Sequence, residues 1–490
     1  MIKWLTKRTA EAKETFARVK VNRVIRQQER AVLAKYDAAQ TSRENTRHWS
    51  MADSLSASAA TNAEVRRIVR NRSRYETANN SYLAGMLGTL ADYIIGTGPR
   101  LQLLSNSDKA NGVIEREFNA WSEEVELTEL LHTMCMSTAE SGEGFGVFST
   151  NEDFESPVKL DFRAVECDQF TAPWPNSDPE MRSTDGIKLD RHGRPKTYSM
   201  LKQHPGDLMF AQIPYGKNFL ELEAARVVHI FHKTRPGQYR GVPWVTPALG
   251  LFALLRRYTL AVVTAAEQAA MIGGAIQTDA PPDGAAANAD AFDVVPLDRG
   301  TWMTLPAGWK LGQVKAEQPT TTYDMFVLRL LNEACRCLKI PFNLAIGNSS
   351  AYNYASGRLD HQAFFKYLRR EQKLWVCRVI DRIFRAWLQE AVLIEGYLPQ
   401  RLRSVEFPKH TWFWDGFEHV DPVKDAKAQE TKLKSKITNL AIECAREGRD
   451  WQDVMRQSAA EAKLWMQLTG DGLDVDTEKP KVKKEDVDDN

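Results

Sequence analysis

The stretch that decides the fold is residues 246–272, TPALGLFALLRRYTLAVVTAAEQAAMI. Thr246 followed by Pro247 is typical of a helix start. The residues after it are apolar or small on every side, with Arg256, Arg257 and Glu267 as the only charges. Such a helix is covered on every side in the folded protein. It forms either a domain core or a contact between subunits, and the subunit contact is favoured because few neighbouring segments could cover it.

A second helix is predicted from about residue 323 to 339 and ends before Pro341. Between the two helices lie residues 273–322, which are rich in Ala, Pro, Gly and Asp and contain one or two predicted strands. The pattern indicates an up-and-down helical hairpin with a β-rich tip.

An uncharged loop and a long helix follow. The loop, residues 341–357, has the sequence PFNLAIGNSSAYNYASG and is longer than most connections. Its hydroxyls and amides suit weak, exchangeable contacts with a moving polyanion, and a folded surface loop is the alternative. The predicted helix over 358–391 carries Phe365, Leu368 and Trp375 at helical spacing and would be about 50 Å long.

The chain before these helices has a mixed pattern. Residues 61–95 and 108–140 show helical periodicity, and short strands punctuated by Pro, Gly, Asn and Asp run from about 145 to 245. After the long helix, HTWFWDGFEHVDP predicts a strand, and two further helices follow Asp421-Pro422. One of them is predicted to turn Ile437, Leu440 and Cys444 inward. The fold class is therefore α+β, with several domains in 490 residues.

Composition excludes several classes. The hydrophobic fraction is 43 %, the charged fraction is 26 % and the net charge is +1, so the chain is neither largely disordered nor uniformly basic. No run of 18 apolar residues is present, which predicts no membrane span, and the first residues do not form a secretory signal. Six cysteines without a C-x-x-C pair favour a reducing compartment.

Motifs for catalysis and metal binding were sought and not found. The chain has no P-loop, no H-E-x-x-H and no G-x-S-x-G motif. His229 and His232 fall on opposite faces of a strand, which disfavours a shared metal. A nuclease using Asp279, Asp283, Asp290 and Asp293 is a weak rival hypothesis, as is a monomeric DNA-binding adaptor acting through the basic residues 1–75. The prediction is a protein that is not an enzyme and has neither metal nor cofactor.

The order of several short segments resembles the lambda-like portal proteins of tailed bacteriophages, over roughly residues 60–470. The segments are residues 72–82 (RSRYETANNSY), 94–98 (IIGTG), the turn at 142–145 (GEGF), 235–244 (RPGQYRGVPW), 353–358 (NYASGR) and Asp421-Pro422. Two features depart from the family pattern: the basic N-terminal segment, and a loop without lysine or arginine.

The resemblance implies a portal fold that forms a dodecameric ring. Its parts would be a basic arm (1–60), an α+β wing (61–245), a first stem helix (246–272), a β-containing clip (273–322), a second stem helix (323–340), a tunnel loop (341–357), a long inner wing helix (358–391), a C-terminal strand and helices of the wing and crown (392–470) and an acidic tail (471–490). A near-neutral chain fits a channel in which DNA must slide.

The resemblance also implies partners and sites. The ring would carry double-stranded DNA during packaging and ejection, bind the terminase large subunit, a head–tail adaptor, and the major capsid and scaffold proteins, and lie at the portal vertex of the virion after assembly in the host cytoplasm, with no membrane partner. The DNA-facing residues of the tunnel loop would be Asn348, Ser349, Ser350, Tyr352, Asn353, Tyr354 and Ser356. The stem residues between subunits would be Leu255, Tyr258, Val262, Ala265, Ala266, Ala269 and Met271.

Overall fold

The computed structural model describes most of the chain between residues 46 and 469. The described ranges are 46–105, 107–172, 183–207, 218–271, 275–278, 309–312, 322–350, 352–399, 407–416 and 422–469. The chain divides into two compact units, Met1–Ser56 and Ala57–Asn490. Residues 46–51 of the first unit form turns, and every helix and strand below belongs to the second unit.

The second unit begins with five helices in the described residues. Its helices are α1 (Ala57–Ala60), α2 (Ala63–Asn79), α3 (Ser81–Ile95), α4 (Asp108–Glu124) and α5 (Leu127–Ser141). The predicted helix over 61–95 is two helices, because the Asn80 side chain accepts hydrogen bonds from the backbone N–H groups of Tyr82 and Leu83 and so caps a new helix.

The described strands between residues 100 and 231, together with one strand near residue 410, form three small antiparallel sheets. Their strands are β1 (Arg100–Leu103), β2 (Glu143–Thr150), β3 (Leu160–Val165), β4 (Ser183–Thr184), β5 (Ile187–Leu189), β6 (Pro195–Leu201), β7 (Phe219–Glu223), β8 (Val227–Phe231) and β11 (His410–Phe413). β2 is the centre of the sheet β3-β2-β8, and β4 to β7 form a meander in sequence order. β1 pairs with β11, with Arg100 opposite Phe413. The predicted mixture of helices and sheets is confirmed.

The middle of the chain contains the predicted helical hairpin. α6 (Leu249–Met271) follows a single 3-10 turn, Thr246–Ala248, and α7 spans Tyr323–Cys335. Between them β9 (Ala275–Thr278) pairs antiparallel with β10 (Trp309–Gly312). The two strands are the described part of the predicted β-rich tip.

The long helix has a break in its hydrogen-bond pattern. A short helix, α8 (Phe342–Ile346), precedes α9 (Tyr354–Trp375), which continues through a π-helical segment, Val376–Ile380, into α10 (Asp381–Leu393). Because a π segment holds one extra residue, it turns the following helix by about 100°. The buried side chains of α9 (Phe364, Leu368, Trp375) and of α10 (Ile383, Phe384, Trp387) then face one core. Phe365, predicted for that face, is only partly buried.

Aromatic side chains close this core. Phe118 of α4 makes edge-to-face contacts with Phe384, Trp387 and Trp412, with ring centroids 5.3 to 5.8 Å apart. Such pairs contribute about 0.5–1.5 kcal/mol each beyond the area that they bury. The cluster joins the front helices, the long helix and β11 into one core.

The C-terminal helices differ from the prediction. They are α11 (Pro422–Lys434), α12 (Leu440–Arg446) and α13 (Trp451–Thr469). Lys436, between α11 and α12, has a φ of 56° and interrupts the helix. Ile437, predicted to face inward, is 79 % exposed in that turn.

A buried carboxylate organises the region between α2 and the sheets. Glu143, the first residue of β2, is fully buried. Its oxygens accept hydrogen bonds from Arg240 (2.6 to 3.1 Å), from Nη2 of Arg70 (3.0 Å) and from the backbone N–H of Gly241 (3.0 Å). His229 Nε2 lies 3.2 Å from Oε2. Burial alone would raise the pKa of Glu143, but Arg240 and His229 lower it well below its ordinary value.

The turn before Glu143 explains why glycine precedes it. Gly142 ends α5 with a φ of 95°, which favours glycine, and a Cβ at this position would collide with the backbone of Val242. The turn brings Glu143 directly under Arg240. The GEGF and RPGQYRGVPW segments are thus two sides of one contact.

We predict that Glu143→Gln destabilises the fold by about 3–5 kcal/mol, because the buried guanidinium groups of Arg70 and Arg240 lose their fully buried carboxylate. Each keeps one charge partner that is less buried, Asp168 for Arg70 and Asp185 for Arg240. Urea unfolding followed by tryptophan fluorescence measures the change. The control is Glu64→Gln, which removes an exposed pair with Arg67 and should leave the unfolding midpoint unchanged. Equal midpoints for both variants would contradict the central role of Glu143.

Stability should also depend on acid in a defined way. The pKa of Glu143 is lowered in the folded state, so its stabilisation is complete above the ordinary carboxyl value of 4.5 and is lost as the pH falls from there through the folded pKa. We expect the unfolding free energy of the native protein to fall below about pH 4.5 more steeply than that of Glu143→Gln. If the unfolding free energies of the two proteins fall equally with pH, protonation of Glu143 is not linked to folding.

Candidate functional site

The apolar helix α6 has two different sides. Leu255 and Val262 are buried against the chain's own core, and Tyr258 stacks on Tyr323 of α7 with ring centroids 5.7 Å apart. Leu255 and Val262 are therefore covered within the single chain, and their place on a surface between subunits stays a prediction. Because the helix is apolar all round, its composition did not show which side faces its own chain.

The rest of the α6 surface is open in the single chain, and its exposed apolar residues spread over about 180° of the helix among the exposed charges Arg256, Arg257 and Glu267. Leu254, Leu260 and Val263 are 57 %, 67 % and 48 % exposed, and Met325 and Phe326 of α7 are exposed as well. We call these five side chains the open stem face. None of these five residues was predicted as a contact residue. A helical wheel with Leu255 and Val262 turned inward places Leu254, Leu260 and Val263 on the remaining, exposed surface of α6.

The remaining predicted stem residues lie near the end of α6. Ala265 and Ala266 are partly buried. The side chains of Ala269 and Met271 lie outside the described part of the chain.

The same helix has the length and the apolar composition of a membrane span. Residues 246–268 are long and apolar enough by length and composition, and 22 % of the most apolar window is buried in the chain. Arg256 and Arg257 interrupt the apolar run, which is why the sequence predicted no span here. One such helix is weak evidence for a membrane, and it restates how much apolar surface α6 leaves open.

The predicted tunnel loop is shorter than 341–357. α8 occupies its first part and ends at Gly347, whose φ is 65°. Asn353 caps α9 by accepting a hydrogen bond from the backbone N–H of Ser356 at 2.8 Å. Tyr354 and Ser356 therefore belong to the helix and not to the loop, since the NYASGR motif is a helix start.

Asn348, Ser349 and Ser350 form the exposed tip of this loop. Asn348 Oδ1 accepts from the backbone N–H of Ser350 at 2.9 Å, a turn typical of Asn. The buried Asn343 donates to Ser349 Oγ at 3.2 Å and so holds the base of the tip. Tyr352 is partly buried, and burial together with Asp360 raises its pKa.

One group of possible metal ligands occurs in the described residues. Ligand atoms of Glu166, Asp168 and His204 lie within 4.8 Å of one another. Arg74 Nη2 is 2.9 Å from Glu166 and 2.8 Å from Asp168, and Arg70 Nη1 is also 2.8 Å from Asp168. Burial would raise the pKa of Asp168, but the two arginines lower it. Guanidinium groups are thus the cations that these carboxylates hold.

The other candidate residues do not converge. His232 lies 2.6 Å from Glu371 and stacks on Trp244, whereas His229 contacts Glu143, so the two histidines serve separate contacts. The six cysteines form no disulfide in the described structure. The acidic residues of the nuclease hypothesis, Asp279, Asp283, Asp290 and Asp293, lie outside the described residues, as does most of the basic segment 1–75.

The chain was compared with known proteins. A probable portal protein of Halomonas phage phiHAP-1 is 22 % identical over 434 residues, covering 82 % of this chain and 81 % of the relative. Portal protein B of Escherichia phage lambda is 21 % identical over 440 residues, covering 78 % and 81 %.

Among solved structures, the neck of a native gene transfer agent particle computed with C12 symmetry aligns with a TM-score of 0.42 and 11 % identity, covering 77 % of this chain and 92 % of that one. The neck of an empty particle, computed with C6 symmetry, aligns with a TM-score of 0.44 and 13 % identity, covering 76 % and 91 %.

The family model of the lambda family of phage portal proteins matches residues 42–372. This range includes the Glu143 cluster, the open stem face, the loop tip and most of α9. The chain therefore belongs to the lambda family of phage portal proteins.

Proposed function

We propose that this portal protein assembles as a dodecameric ring at one vertex of the capsid and that double-stranded DNA passes through its channel during packaging and ejection. The observation that carries the proposal is the open stem face. Fully burying an exposed leucine or valine contributes about 1.5–3 kcal/mol, so covering side chains that are half to two-thirds exposed contributes about 1–2 kcal/mol each. A second copy of the chain is the occupant available in a closed ring, where each copy meets the next through the same pair of surfaces.

The finer assignments rest on the resemblance to the family. They are a clip at 273–322 that docks the terminase large subunit and the head–tail adaptor, contacts with major capsid and scaffold proteins, assembly in the host cytoplasm, and a role that is not enzymatic. In the described residues, the carboxylates of Glu143, Glu166 and Asp168 pair with arginines that join neighbouring elements, and this supports the non-enzymatic role. The rival, a monomeric DNA-binding adaptor using the basic N-terminal region, requires a protein that stays a single chain.

We predict that Leu260→Glu prevents ring formation, because it places a carboxylate in the apolar contact between copies. Native mass spectrometry with negative-stain imaging should show a ring for the unaltered protein and single chains for the variant. The matched control is Leu393→Glu, at the end of α10, where Leu393 is 84 % exposed and outside the stem. A ring formed by Leu260→Glu would remove the open stem face from the subunit contact.

The loop tip provides a separate prediction about DNA. Asn348→Asp combined with Ser350→Asp keeps the acceptor of the Asn348 turn and adds two negative charges per subunit. The ring should still assemble, but fewer DNA-filled heads should form, because the added carboxylates repel the phosphates. Counting filled heads by electron microscopy measures the effect, with Ser350→Asn as the uncharged control. Normal filling by the doubly charged variant would place the tip away from the DNA path.

A further inference from the structure

Helix α9 carries an exposed basic stripe that begins where the loop tip ends. Its members are exposed side chains of one helix: Arg358, Lys366, Arg369, Arg370 and Lys373. At about 100° per residue these five positions fall within an arc of about 120°. The stripe is about 22 Å long, from Arg358 to Lys373.

The opposite side of α9 is apolar and acidic. Phe364, Leu368 and Trp375 are buried there, and the two carboxylates of the helix, Asp360 and Glu371, also fall outside the basic arc. Arg370 keeps a loose contact of 3.9 Å with Glu371. The separation concentrates positive charge on the side of α9 that faces away from the chain's core.

More positive charge lies just past the end of α9. Arg378, in the π segment, is exposed and near the exposed Lys233 that follows β8. Partial burial and Arg378 both lower the pKa of the Lys233 ammonium. Like charges placed this close repel each other, and a polyanion would relieve that repulsion.

We propose that the basic stripe of α9 is a phosphate-binding surface for double-stranded DNA. This inference rests on the proposed function, which brings DNA to this chain. A duplex carries one negative charge per about 1.7 Å with both strands counted, so a length of about 22 Å contains about 13 phosphates, and the stripe meets those on one side of the duplex. The stripe supplies the cations that the loop tip lacks. An anionic membrane is the poorer fit, because a helix that lies on a membrane needs an exposed apolar face, whereas the described side chains of α9 expose a single large apolar residue, Leu359.

The test is the salt dependence of duplex binding by the full-length protein. The variant Arg358→Gln/Lys366→Gln/Lys373→Gln removes three exposed charges along the stripe. The matched control, Lys427→Gln/Lys432→Gln/Lys436→Gln, removes three exposed charges from α11 and the turn after it. A labelled 30-base-pair duplex is titrated by fluorescence anisotropy at several salt concentrations, and the native mass of every sample is recorded.

The slope of log K against log salt should become shallower by about 0.9 for each lost phosphate contact, hence by about 2.7 for one stripe on one duplex. The control should keep the native slope. If the triple variant does not assemble, each single Gln variant should make the slope shallower by about 0.9.

The outcomes separate the two proposals. An assembled native protein that binds no duplex, or a stripe variant with the native slope, overturns the stripe while the ring stands. If the native protein stays a single chain, the proposed ring is wrong. The salt dependence of its duplex binding, compared with that of the stripe variant, still tests the stripe. A stripe variant that keeps duplex binding but loses binding to vesicles of anionic phospholipid would make the stripe a lipid surface instead.

Discussion

The buried pair of Glu143 and Arg240 is the interaction on which the region between α2 and the sheets depends. A fully buried carboxylate is tolerated only with charged and hydrogen-bonded partners, and Glu143 receives them from α2, β8 and the loop that leads to α6. α2 therefore turns its polar side inward: Arg66, Arg70, Ser73 and Glu76 are buried, while Val65 and Ile68 are exposed. The usual rule of an apolar side facing the core is reversed in this helix.

The same cluster connects α2 and the sheets to α6. Arg240 lies in the segment that leads into α6, and Arg256 of α6 pairs with Glu76 of α2 at 2.9 Å. The position of the apolar helix is thus fixed by charges at its beginning and by Tyr258 against α7 further along. The exposure of its remaining apolar side chains follows from this arrangement and not from weak packing.

Periodicity predicted much of the architecture. The hairpin of α6 and α7, the strands after residue 142 and the helix that follows the NYASGR motif were all found from residue spacing. Spacing could not reveal the π segment, because one extra residue shifts the apolar face by about 100° and resembles an ordinary irregularity of the pattern. Spacing also could not show that α2 turns Val65 and Ile68 outward, since the reason for this reversal lies about 70 residues away in Glu143. The side of α6 that faces its own chain was equally invisible, because apolar residues surround the helix.

The pairing of β1 with β11 has a consequence for how the chain is made. Thr97, just before β1, bonds to Asp415, just after β11, and the two residues are 318 apart in the chain. Ribosomes add about 5–20 residues per second, so β1 waits roughly 15–60 s for its partner strand. During that time the hydrophobic surface that Trp412 later covers is exposed on the nascent chain. Closure of the core is therefore delayed until β11 has been made, and the chain cannot complete its fold before then.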